Sequence, residues 1–79
     1  MKDAELKAFH RRMVLGEIRP ADDEAARTLN RFMQRYSAYE GLQKRGDDIK
    51  AAVNLYDARR LAKDVKRLIE SNRIAEGAQ

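Results

Sequence analysis

Between Ala51 and Ile69, six apolar residues recur at intervals of 4, 3, 4, 3 and 4: Ala51, Leu55, Ala58, Ala62, Val65 and Ile69. An α-helix turns by about 100° per residue, so this spacing gathers all six into one seam, whereas a strand would repeat every second residue. Half of the seam is alanine, which lets a neighbouring helix come close, and Leu61 and Leu68 flank it. The segment is predicted to be a helix from an N-cap at Asp47 or Asp48 to Ser71 or Asn72. A helix with so continuous an apolar stripe has to be covered by others.

Two further segments have helical periodicity. In the first, from about Asp3 to Leu15, Leu6, Phe9 and Met13 lie on one face with Val14 beside them, and Gly16 stands where a C-terminal cap belongs. The second is predicted to begin near Pro20, whose fixed φ suits a first turn, with Asp22, Asp23 and Glu24 at the positive end of the helix dipole. Leu29, Phe32, Met33 and Tyr36 form its apolar face. Leu42 falls off that face, which favours a break near Gly41 over continuation to Gly46.

No segment alternates as a strand would, so the expected class is all-α: a small three-helix bundle with a long C-terminal helix. Residues 1–72 are expected to form one helical domain, and 73–79 (RIAEGAQ) a flexible tail with little to bury. A chain of 79 residues buries only about 60% of its unfolded surface, so the core is marginal unless well packed or shared.

Several kinds of chemistry are excluded. The sequence has no Cys, hence no disulfide, thiolate ligand or thiol nucleophile. The single histidine, His10, has Arg11, Arg12, Leu6 and Val14 as local neighbours, with neither a nucleophile nor an orienting carboxylate among them; close to the apolar face with Phe9 and Met13, it reads as a boundary histidine flanking the core. The acidic runs Asp22–Glu24 and Asp47–Asp48 read as helix starts rather than metal ligands, and GDDIK at 46–50 lacks the glycines of a phosphate loop. No enzymatic activity, metal or cofactor is therefore expected. The charged N-terminus MKDAELKAFHRRMVLGEI carries no run suited to a signal peptide or membrane span. Together with the lack of Cys, this suggests a cytoplasmic protein with no membrane partner.

Charge is unevenly distributed. Residues 1–26 hold five basic and six acidic side chains, residues 27–79 twelve and seven. The positive excess therefore lies in the second and third helices, where an anionic partner would be met. Arg59, Lys63 and Arg67 form an i, i+4, i+8 ladder on the third helix, and Arg27, Arg31 and Arg35 form another on the second. Asp57, Asp64 and Glu70 are spaced to offset Arg60, Arg67 and Lys66, and Asp23 and Glu24 to offset Arg27. Arg59, Lys63, Arg31 and Arg35 have no acidic neighbour at i±3 or i±4. The four like-charged contacts along the ladders together cost on the order of 1–2 kcal/mol. Lysine and arginine ordinarily lie on a solvated exterior, so the ladders read either as such a face or as contacts for an anionic partner that would offset this cost.

The third helix also carries a second apolar patch. Ile49, Ala52, Val53 and Tyr56 point away from Ala51 and Ala58. In a three-helix bundle each helix touches two others, so the core is expected to absorb part of this patch; any part left uncovered marks binding or self-association. Two roles fit these features. In the preferred one, the chain is a non-enzymatic protein-binding module or inhibitor that docks a basic and apolar face on a larger partner. Ile49, Val53 and Tyr56 serve as its anchor, and Arg27, Arg31, Arg35, Arg59, Lys63 and Arg67 as its charged contacts. Small inhibitors encoded by phages and other mobile elements have this character, although no residue singles them out, and a homodimer is a further expectation. In the alternative, the same cations contact the phosphate backbone of a nucleic acid without reading bases. Tyr36, Tyr39 and Tyr56 could stack on single strands, but at helical spacing they are expected first as core or core-edge residues with an exposed hydroxyl.

Overall fold

In the computed structural model, which describes residues 1–76, the chain forms α1 (Asp3–Val14), β1 (Ile18–Pro20), α2 (Asp23–Lys44), α3 (Asp48–Glu70) and β2 (Ile74–Glu76). The helical class and the three helices agree with the sequence, and the two strands are additional. α3 is the longest helix at 23 residues, but α2 nearly matches it at 22.

All three helices end alike. Gly16 (φ +76°), Gly46 (φ +79°) and Asn72 (φ +60°) each occupy the left-handed region one residue past the C-cap. Each motif is closed by two backbone bonds: Glu17 N–H to Arg12 O and Gly16 N–H to Met13 O after α1, Asp47 to Leu42 and Gly46 to Gln43 after α2, and Arg73 to Leu68 and Asn72 to Ile69 after α3. This is the Schellman arrangement, which satisfies carbonyls that the helix leaves unpaired. The expected break near Gly41 is absent: α2 runs through it to Lys44.

The α2–α3 turn folds the two long helices into an antiparallel hairpin. Ala25, Leu29, Phe32 and Tyr36 of α2 are buried with Ala58, Ala62, Val65 and Leu68 of α3 in one core cluster, which Leu55, Leu61 and Ile69 flank. Fully buried alanines on α3 give α2 its close approach. The shorter α1 adds Leu6 and Phe9, the latter edge-to-face on Phe32 at 5.8 Å between ring centres. Val14 is 67% exposed, so it does not join that face.

Pro20 belongs to β1 rather than to the start of α2. The strands pair antiparallel, with Ile18 opposite Glu76, Arg19 opposite Ala75 and Pro20 opposite Ile74. A proline without an N–H is tolerated in so short a strand at a sheet edge. Helix α2 starts instead at Asp22, whose carboxylate accepts the Ala25 N–H at 2.8 Å.

Over residues 73–76 the expected tail is ordered structure. Ile74 is 3% exposed and belongs to the core cluster. Arg73 donates to both Asp22 carboxylate oxygens at 2.9 and 3.0 Å and to Glu24 at 3.1 Å, and Arg12 donates to Glu76 at 2.9 Å. The Arg73 guanidinium, with the capping N–H of Ala25, holds the Asp22 carboxyl down at about 2. The segment after α3 thus closes the sheet end of the molecule and ties it to the start of α2. Gly77, Ala78 and Gln79, the rest of the expected tail, lie outside the described residues.

Candidate docking surface on α3

Ile49, Val53 and Tyr56 are 81%, 57% and 59% exposed, so no part of the described chain covers the second apolar patch. They continue into a longer row. Ile49, Val53, Tyr56, Arg60, Lys63 and Arg67 are spaced 4, 3, 4, 3 and 4, the same repeat as the core seam but on the opposite face of α3. All six are exposed. The stripe is segmented: its N-terminal half is apolar and its C-terminal half is basic. Where the halves meet, the Arg60 guanidinium carbon lies 5.9 Å from the centre of the Tyr56 ring, within cation–π reach.

Beside the basic half runs an open groove between α2 and α3. Arg31 and Arg35 line it from α2, and Arg60, Lys63 and Arg67 from α3; Asp57 and Asp64 also line it, leaving a formal charge of +3. Asp57 approaches Arg35 at 4.0 Å, and Asp64 approaches Arg67 at 3.3 Å. Arg31, Arg60 and Lys63 make no ion pair among the described residues.

Of the residues singled out by sequence, the structure brings Arg31, Arg35, Lys63 and Arg67 together around the groove and sets Ile49, Val53 and Tyr56 at the far end of the stripe. It separates Arg59 from them. That side chain turns towards α1 and donates to Asp3 through Nε at 3.0 Å and Nη2 at 2.8 Å, which holds the Asp3 carboxyl below its usual range. Counting acidic neighbours along α3 alone could not reveal a carboxylate on another helix. Arg27 is exposed on α2 but does not line the groove. Arg60, set aside in the sequence because Asp57 is three residues away, is the residue that reasoning missed. Its position in the outward 4-3 repeat was the available signal.

The aromatic residues divide. Tyr36 is 4% exposed and stacks at 5.9 Å on Phe32, Tyr39 is partly buried against it, and only Tyr56 offers an open ring face.

His10 lies at the edge of the core, as its place beside Phe9 and Met13 suggests, and α2 supplies neighbours that its own helix does not show. It is 7% exposed, hydrogen-bonds through Nε2 to Ser37 Oγ at 2.9 Å, and has Glu40 Oε1 3.7 Å from Nδ1. A hydroxyl and a carboxylate from α2 therefore do surround it. The likeness to a hydrolytic triad is superficial, since 3.7 Å is too long for an orienting hydrogen bond. Ser37 lies within α2, where backbone N–H groups are committed to the preceding turn and none remains to stabilise an oxyanion. The cluster instead satisfies a histidine at the α1–α2 contact, where its ring also tilts over Tyr36 at 4.8 Å.

Among the described residues no group of three or more His, Cys, Asp or Glu side chains is placed to hold a metal ion, and no helix is long and apolar enough to cross a membrane. Comparison with protein-family models, curated proteins and solved structures gave no match.

Proposed function

We propose that the protein is a small, non-enzymatic helical binding module that docks the outward face of α3 on a larger partner protein. One observation carries this reading: the exposed stripe in which Ile49, Val53 and Tyr56 run directly into Arg60, Lys63 and Arg67. Exposed apolar side chains in a row have a use where another protein excludes water from them, at about 25 cal/mol per Å² buried. The adjoining cations steer that partner and fix its register. An inhibitor that covers an acidic or nucleic-acid-binding surface of its target, of the kind phages and mobile elements encode, is one form such a module takes.

Affinity capture from nuclease-treated lysate tests the reading. The wild-type chain retains a protein partner after nuclease treatment, and Val53→Asp loses it while keeping its helical circular dichroism. Retention by both proteins, or by neither, refutes the proposal.

The groove charge of +3 favours a second reading, in which Arg31, Arg35, Arg60, Lys63 and Arg67 contact nucleic-acid phosphates. Affinity would then fall with log[salt] at a slope of about −0.9 per phosphate contacted on duplex DNA. Gel shifts from low to physiological salt that show no complex eliminate it. Ile49 and Val53 have no role in that reading, which is why protein binding is preferred.

A further inference from the structure

The stripe on α3 presents two chemistries in sequence, and its occupant has to match both. Resting on the protein-binding reading above, we infer that this occupant is an acidic amphipathic α-helix of the partner, with apolar side chains over Ile49, Val53 and Tyr56 and carboxylates over Arg60, Lys63 and Arg67.

Spacing supports a helix. The intervals 4, 3, 4, 3 and 4 are those by which one helix presents side chains to another that lies nearly parallel to it. From Ile49 to Arg67 the row extends over eighteen residue steps, about 27 Å at 1.5 Å per residue, so a matching helix has about 18–20 residues. An extended strand repeats on one face every two residues, about 6.6 Å, and would fall out of step with this row within two turns.

Charge supports acidity. Five cations and two carboxylates line the groove. Arg31 and Arg35 on α2 form a second wall, which lets carboxylates on the partner's flank pair as well as those on its central row. Arginine there permits bidentate pairing.

The same charge pattern disfavours a second copy of the chain. Paired in parallel, Arg60, Lys63 and Arg67 would meet their own counterparts; paired antiparallel, they would meet Ile49, Val53 and Tyr56 of the other copy. Neither arrangement is complementary along the full row. Phosphates would satisfy the basic half and leave Ile49, 81% exposed, uncovered.

Selection from two displayed peptide libraries tests this. One is a three-heptad, alanine-rich helical scaffold randomised at its a, d, e and g positions, and the other is a set of constrained loops. Binders are sorted on the wild-type chain and on Val53→Asp and Arg60→Glu/Lys63→Glu variants, each checked for unchanged helical circular dichroism. The expected outcome is helical binders with apolar residues in one half and Asp or Glu in the other. Val53→Asp weakens them at least about tenfold, as expected of an interface anchor, and the charge-reversed variant selects Lys or Arg in place of the carboxylates. Val53-dependent binders that come only from the loop library, or helices without carboxylate enrichment, overturn the acidic helix while leaving the docking surface intact. Absence of any Val53-dependent binder from either library overturns both.

Discussion

Arg59 holds Asp3 through two hydrogen bonds, of 3.0 and 2.8 Å, so a side chain of α3 clamps the first turn of α1. The fork geometry of the guanidinium matches both carboxylate oxygens at once. Arg60, one residue on and about 100° around the helix, shares the outward face with Tyr56, while Arg59 faces α1.

Arg59→Ala is therefore expected to loosen α1 without weakening partner binding. Amide hydrogen exchange should quicken along α1 while α2 and α3 keep their protection. A loss of partner affinity larger than that of Lys63→Ala would return Arg59 to the docking surface.

The clasp between Asp22 and Arg73 has a pH signature. The Asp22 carboxyl is held at about 2 against an ordinary value of 3.8. The unfolded chain thus takes up this proton first, and the stabilisation from Asp22 is complete above its ordinary value and lost as pH falls towards about 2. Asp22→Asn, which keeps an N-cap side chain, should melt below wild type at neutral pH. The difference should close as acid is added through that window. A difference in Tm that does not change with pH would contradict the assignment.

Ile74 should behave as a core residue although it lies after the last helix. It is 3% exposed, and truncating a buried isoleucine to alanine costs about 2–5 kcal/mol. Denaturant titration of Ile74→Ala reads this directly. A change within about 0.5 kcal/mol, typical of a surface site, would show that the strand contributes nothing.

Gly41 inside α2 and Gly46 just past its C-cap should respond to substitution in opposite directions. Gly46 sits at φ +79°, where an added Cβ costs roughly 1–2 kcal/mol, so Gly46→Ala destabilises. Gly41 lies inside α2 with open space around it, so Gly41→Ala should stabilise by roughly 0.5–1 kcal/mol. Comparing their unfolding midpoints separates a helix that runs through Gly41 from one that breaks there.

The helices were legible because their signals are local. The 4-3 seam placed Ala51, Ala58, Ala62 and Val65 in the core, and Gly16, Asp47 and Asn72 stand at or beside helix ends as their types suggest. The features that were not legible depend on partners far along the chain. Ile74 pairs with Pro20, Arg73 with Asp22 and Arg59 with Asp3, each more than fifty residues apart. A strand of three residues is too short to show a period, so β1 and β2 left no mark in the pattern. The outward patch Ile49, Val53 and Tyr56 was visible by periodicity, but its continuation into Arg60 was hidden because Asp57, three residues away, counted as that arginine's partner.

Site-specific photocrosslinking tests the docking surface most directly. A benzophenone side chain is placed at Val53 in one protein and at exposed Arg19, at the sheet end, in another. Both are irradiated in nuclease-treated lysate. The account predicts a protein adduct from position 53 that is absent from position 19. Equal adducts from both positions, or none from position 53, would contradict it.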